Sequence, residues 1–216
     1  MKIAIIGATG FVGKNLTVEA LNRGHEVTAI ARNTDSLSIL NERLKKTPAD
    51  VLDINATVKL IADQDIIISA YNAGWTNPNI YDDFIAGAKA IQEAAKQAGK
   101  RLIVIGGAGS LFVAPGVQAV DTDSFPAEIK PGASAARDYL NILKEEKELD
   151  WTFFSPAFEM HPGINSGRTG HYRLGKDTPV FDDQNQSRLS VEDLAVVILD
   201  EAENPQHKRE RFTAAY

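Results

Sequence analysis

The 216-residue chain contains no cysteine, which excludes disulfides, thiolate nucleophiles and sulfur-ligated metal centres at once. Positive charge is in deficit: 23 Lys and Arg stand against 29 Asp and Glu, for a formal net charge of −6. A nucleic-acid surface demands clustered Lys and Arg, so this balance argues against one. No apolar run approaches the roughly 20 residues of a membrane-spanning helix. Only four histidines occur, and no metal-ligand set is visible among them. Strand-like sequence begins at residue 2, so no signal or transit peptide is expected. Repeats, low-complexity tracts and interdomain linkers are missing too. The expectation is one soluble, cytoplasmic domain spanning 1–216, with 44% hydrophobic residues to build its core.

Against these absences stands one dense motif. Lys2 to Ile6 reads as a short apolar strand that runs into Gly7-Ala8-Thr9-Gly10-Phe11-Val12-Gly13, and a helical pattern follows. A strand, a glycine turn and a helix in that order can seat a dinucleotide pyrophosphate. Gly7 permits the sharp turn, Gly10 lets the backbone approach phosphate, and Gly13 lets the helix pack close. The amides around Thr9, Phe11 and Val12 then face the anion, aided by the helix dipole.

Strand-like and helix-like segments alternate along the rest of the chain. Helix one covers about Phe11 to Asn22, and Glu26 to Ala31 is the second strand. Asp35 or Ser36 can cap a second helix through Leu44, and Asp50 to Leu52 reads as a weak third strand. A short helix fits Ala56 to Ala62, a buried strand Asp65 to Ala70, and a long helix Tyr81 to Ala98. Arg101 to Ile105 is the fifth strand and enters a second glycine cluster, Gly106-Gly107-Ala108-Gly109. A helix from Ala133 to Glu148, a sixth strand from Trp151 to Ser155, a helix opened by Ser190 and a strand from Arg211 to Tyr216 follow. This pattern specifies an α/β fold, a doubly wound parallel sheet of Rossmann type with a small C-terminal elaboration. Irregular stretches at about 110–132 and 156–188 follow strands five and six, where such sheets bind their ligands.

In this fold the residue ending strand two reads the adenosine ribose. An acid there suits NAD, whereas an arginine accommodates the 2′-phosphate of NADP. The strand ends in Ala31-Arg32-Asn33, so NADP(H) is expected over NAD(H). Asp53 can accept from the adenine amino group and can cap the helix behind it, two compatible roles. Ser69, Ala70 and Tyr71 end strand four beside the pyrophosphate and nicotinamide ribose, and Gly106 and Gly107 complete the expected cofactor contacts.

These residues resemble the atypical short-chain dehydrogenase/reductase group, specifically its small NADH-flavin reductases. Those are similar to biliverdin-IXβ/flavin reductases and to nitrogen-metabolite-repressor-like NADP-binding proteins. The resemblance covers nearly the whole chain. It rests on the first glycine motif, on Gly106-Gly107-Ala108-Gly109-Ser110-Leu111, on Ser155-Pro156-Ala157, on Arg168 to Asp177, and on the tail from Ser190 to Tyr216. It implies a nicotinamide-dependent reductase.

Short-chain dehydrogenases usually carry a Tyr and a Lys four residues apart on one helix, where the ammonium can depress the phenol pKa. Here the position four after Tyr139 is Leu143, and Lys144 is rotated well away. Reducing an isolated ketone needs an acid for the developing alkoxide. A flavin or quinone spreads the added charge over a conjugated system, so a dedicated donor matters less. The broken pair therefore fits reduction of a small planar acceptor. Flavin would be a diffusing substrate, because no separate flavin module is visible. Ser110 and His161 are the candidate catalytic polar groups, and Trp75 and Phe112 can stack on a planar ring. The alternative is a non-catalytic NADP(H)-binding sensor acting through a protein partner. A nucleotide-sugar epimerase or dehydratase is discounted, since it needs the Tyr–Lys pair and a larger C-terminal part.

Overall fold

A computed structural model describes residues 1–216. Its elements are β1 Lys2–Ile6, α1 Phe11–Asn22, β2 Glu26–Ala31, β3 Leu44–Pro48, α2 Ile54–Ile61, β4 Ile66–Ser69, α3 Ile80–Gln97 and β5 Arg101–Ile105. Then come β6 Phe112–Ala114, β7 Val117–Gln118, α4 Lys130–Glu145, β8 Trp151–Ser155, β9 Arg173–Gly175, α5 Val191–Glu203 and β10 Glu210–Ala215. Eight strands form one sheet in the order β3-β2-β1-β4-β5-β8-β10-β9. All neighbours pair in parallel except β9, which is antiparallel to β10.

The pleat divides the apolar strand residues between two cores. Ile3, Ile5, Ile68, Phe154 and Phe212 face α1 and α5, while Ala4, Ile6, Ile67, Val104 and Phe153 face α3 and α4. Continuous apolar strands buried on both faces are what a parallel sheet between helix layers requires. Helices end where the sequence places glycine. After α1 the His25 amide donates to the Ala20 carbonyl and the Gly24 amide to that of Leu21, with Gly24 at φ +85°. That Schellman arrangement returns after α3, where Gly99 donates to Lys96 and Lys100 to Ala95.

Three expectations need correction. No helix forms over 35–44; that stretch is an irregular connection whose Leu37 is buried. The third strand is Leu44–Pro48 rather than Asp50 to Leu52, and it pairs outside β2 at the sheet edge. Lysines and a proline suit such an edge because they discourage further pairing. The expected parallel sheet is present, and β9, inside the 156–188 stretch, extends its edge antiparallel to β10. The 110–132 stretch holds the β6–β7 hairpin, and α4 begins at Lys130, with Pro131 in its first turn rather than in the loop.

Candidate functional site

Beyond the carboxyl ends of β1, β2 and β4 lies a cleft of about 820 Å³. That volume falls within the range of roughly 300–1,000 Å³ typical of small-molecule sites. Its floor is the glycine turn. Gly7 sits at φ +78°, and a Cβ there would stand 2.5 Å from the Ala70 carbonyl oxygen. A Cβ on Gly13 would lie 2.1 Å from the Gly7 carbonyl oxygen, so glycine is what lets α1 start directly against the turn. Gly10 caps α1 through its backbone, with no capping side chain and no acid in the first turn. The amides of Thr9, Phe11 and Val12 have no acceptor within the protein. By contrast α2 and α5 are capped by Asp53 and Ser190 side chains, which accept from the Ala56 and Asp193 amides. An uncapped helix start over a close-packed glycine turn fits a pyrophosphate well.

One end of the cleft is rich in donors. Arg32, Asn33 and Ser36 line it. The Asn33 Oδ1 accepts from the Asp35 amide at 2.8 Å, which leaves its NH2 to point elsewhere. The other wall comes from β4 and its loop, through Ala70, Tyr71, Asn72, Ala73 and Asn77. The Tyr71 hydroxyl donates to the Asp83 carbonyl at 3.0 Å, and burial pushes its pKa upward. Its ring lies over Gly87, where a Cβ would come within 2.3 Å of Cζ. The cleft carboxylates are engaged locally: Asp50 accepts from the Leu52 amide and Asp83 from the Asn77 side chain.

Of the residues expected to contact cofactor, Gly7, Thr9, Gly10, Arg32, Ala70 and Tyr71 line this cleft. Phe11, Val12 and Gly13 form the helix start behind its floor. Asp53 is not among the lining residues; its Oδ1 caps α2, accepting from the Ala56 amide at 2.9 Å. Ser69 is buried beneath the wall, and its Oγ accepts from the Tyr71 amide. Gly106 and Gly107 lie past the cleft, at the end of β5. A Cβ on Gly106 would strike the Phe153 ring, and one on Gly107 would stand 3.4 Å from the Ala136 Cβ.

The candidate catalytic groups are not brought to the cleft. Ser110 is fully buried, with its hydroxyl 3.0 Å from the Gly107 carbonyl and 3.0 Å from the Ser155 hydroxyl. The buried Arg211 guanidinium donates to the Ser110 carbonyl and to Asp177. His161 is exposed, and its Nδ1 accepts from the Gly163 amide. Tyr139 is packed edge-on against Phe84 in the core, and burial alone raises its pKa strongly. Nearest the end of β5, α4 presents small residues: Ala133 faces Gly109 and Ala136 faces Gly107.

Asn33, Ser36, Asp50, Leu52, Asn77 and Asp83 also line the cleft. Sequence reasoning gave them no part in the site. Ending β3 at Pro48 would have placed Asp50 in the loop after a strand, where ligand contacts are expected.

The fold and this cleft define a Rossmann-type dinucleotide-binding protein. The chain belongs to the NAD(P)H-binding family, whose family model matches residues 7–205. YwnB of Bacillus subtilis, an uncharacterized protein, is 38% identical to it over 215 residues, covering 99% of this chain and 97% of that one. A solved structure from Bacteroides thetaiotaomicron, provisionally named an epimerase, matches with a TM-score of 0.91 at 47% identity, covering 100% of this chain and 96% of the other. One from Streptococcus pneumoniae, provisionally named an NADH-flavin reductase, matches at 0.88 with 32% identity, covering 100% and 99%. The resemblance to the atypical short-chain dehydrogenase/reductase group is thereby borne out. No helix is long and apolar enough to cross a membrane.

Proposed function

We propose that this chain is an NADPH-dependent reductase of a small planar acceptor, a free flavin or a quinone. The observation that carries the reading is the fate of the side chains able to give a proton. Ser110 is tied into a buried network, Tyr139 is in the core and His161 points outside. Bound NADPH supplies the hydride. The chain's own part is to hold the pyrophosphate on the α1 start and to fix the dinucleotide along the β4 loop. A conjugated acceptor delocalises the charge it gains and takes its proton from water. A nucleotide-sugar epimerase would need a tyrosine–lysine pair beside the nicotinamide, whereas here Lys144 is exposed and Tyr139 buried.

Arg32, the free NH2 of Asn33 and the Ser36 hydroxyl form the donor set that supports NADP(H) over NAD(H). A guanidinium hydrogen bond to a phosphate is worth about 1.5–3 kcal/mol. Arg32→Glu is therefore expected to weaken NADPH binding by about 10- to 150-fold while leaving NADH binding nearly unchanged. The test is oxidation of NADPH, and separately of NADH, by purified protein with FMN, riboflavin and a small quinone in turn. Turnover with any acceptor, with an NADPH preference abolished in Arg32→Glu, supports the proposal. Tight NADPH binding with no turnover overturns it in favour of a sensor.

A further inference from the structure

We propose that Trp75 is the platform on which the planar acceptor stacks. This rests on the reductase reading above and names where its second substrate lies. Trp75 does not itself line the cleft but follows Asn72 and Ala73, which line its end on the β4 side, across β1 from Arg32 after β2. In the sheet order that end leads from β4 toward β5, the direction in which a dinucleotide anchored at β1 and β2 presents its nicotinamide.

Three observations make the indole a built surface and not a stray exposed side chain. First, its position is fixed from below. A Cβ on Gly132, in the first turn of α4, would stand 2.8 Å from Trp75 Cζ3 and 2.9 Å from Ile80 Cδ1. Only glycine lets the benzo ring rest there. Second, its loop is tied at both sides. The Gly74 amide donates to Asn72 Oδ1 at 2.7 Å, the Asn77 amide to the Gly74 carbonyl, and the Asn77 side chain to the Ala73 carbonyl. Gly74 itself is at φ +103°, a conformation that favours glycine. Third, despite this support the side chain is not covered: Trp75 remains 59% exposed, whereas the other tryptophan, Trp151, is 2% exposed. A rigid, open indole beside a dinucleotide cleft matches a flat conjugated ring, which gains dispersion and quadrupole attraction by offset stacking. Phe112, the other candidate, is half-buried and already has a planar partner, the Arg211 guanidinium, 5.9 Å from its ring centre.

The burial contrast supplies the assay. Riboflavin is titrated into the full chain in the presence of NADP⁺, with both tryptophan emission and flavin anisotropy recorded. Saturable quenching of wild-type emission is expected, leaving the Trp151 component. Trp75→Leu is expected to show no saturable quenching and about tenfold weaker riboflavin binding, with NADPH affinity unchanged. In turnover the acceptor KM should rise by a similar factor and kcat should hold. Gly132→Ala leaves the indole present but displaced, and should reproduce the loss with Trp75 emission shifted. Unchanged riboflavin binding in Trp75→Leu overturns the platform while wild-type turnover keeps the reductase reading. Stacking on Trp75 with no turnover of any acceptor supports the platform and overturns the reductase reading. No riboflavin or quinone binding to wild type overturns both.

Discussion

Asp193 offers a sharp test of what holds the C-terminal segment over the helix layer. It is fully buried in the first turn of α5, and its carboxylate accepts from four donors. Oδ1 takes the Thr169 and Gly170 amides at 2.9 and 2.8 Å; Oδ2 takes the Thr169 and Tyr216 hydroxyls at 2.6 and 2.8 Å. The division matters, because amides can only donate whereas hydroxyls can reverse. Asp193→Asn can keep its oxygen on the two amides and aim its NH2 at the two hydroxyls, which turn to accept. It loses only charge assistance and the helix-start interaction, about 1 kcal/mol. Asp193→Ala removes the shared acceptor of all four donors. Thr169 and Gly170 are exposed and water can replace their partner, and the Tyr216 hydroxyl keeps Ser190 Oγ at 2.9 Å, so the cost is limited to about 3 kcal/mol. For a chain of this size that means a Tm lower by about 6–12 °C for Ala and about 2–4 °C for Asn. Urea midpoints at constant slope measure the difference. Hydrogen exchange should show the Thr169 and Gly170 amides released in the Ala variant and protected in the Asn variant. If Asn costs as much as Ala, charge and not bond geometry anchors the segment, and the reasoning fails.

Further perturbations separate the cleft from the scaffold. Gly87→Ala puts a Cβ 2.3 Å from Tyr71 Cζ and should drive that ring into the cleft; calorimetric titration is expected to show NADPH binding weakened at least tenfold with the urea midpoint little changed. Glu146 is held at a pKa of about 2 by the Glu148 and Leu149 amides and by Lys96, below the ordinary 4.5. Its contribution is therefore complete above about pH 4.5 and is lost as pH falls toward 2. Glu146→Gln should be less stable at neutral pH yet lose less stability on acidification, read from urea midpoints across that window. A parallel decline of both proteins would mean that other carboxylates dominate the acid response.

The parts legible in the sequence are those set by local rules. The glycine turn, α1 with its Arg23-Gly24 ending, and the apolar strands β1, β4, β5 and β8 all follow from nearest-neighbour patterning. β3 escaped because Leu-Lys-Lys-Thr-Pro has no alternation, and an edge strand needs none when its outer side meets water. The helix expected over 35–44 has acceptable propensity, but the chain spends those residues crossing from β2 to the sheet edge. In the site, Arg32 was readable because its place depends only on where β2 ends. Ser110 was not, because what buries it is Arg211, 101 residues further along. Asp53 shows a third case: of its two compatible uses, the capping bond from the Ala56 amide is one that local sequence alone makes legible.

The placement of β10 governs the order in which this chain can fold. β10 lies between β8 and β9, although β9 is made before it. While a ribosome is still producing α5, residues 173–175 have no strand to pair with and β8 has an open side. The β1–β5 half can assemble early, since each of its strands meets a partner already made. The segment carrying Arg173 to Asp177 must wait, and so must the Arg211 contact that fixes the turn after β5. Completion of the sheet beyond β8 and of the turn after β5 is thus a late, long-range event. A chain stalled just before β10 would hold a finished nucleotide cleft beside an unfinished second half.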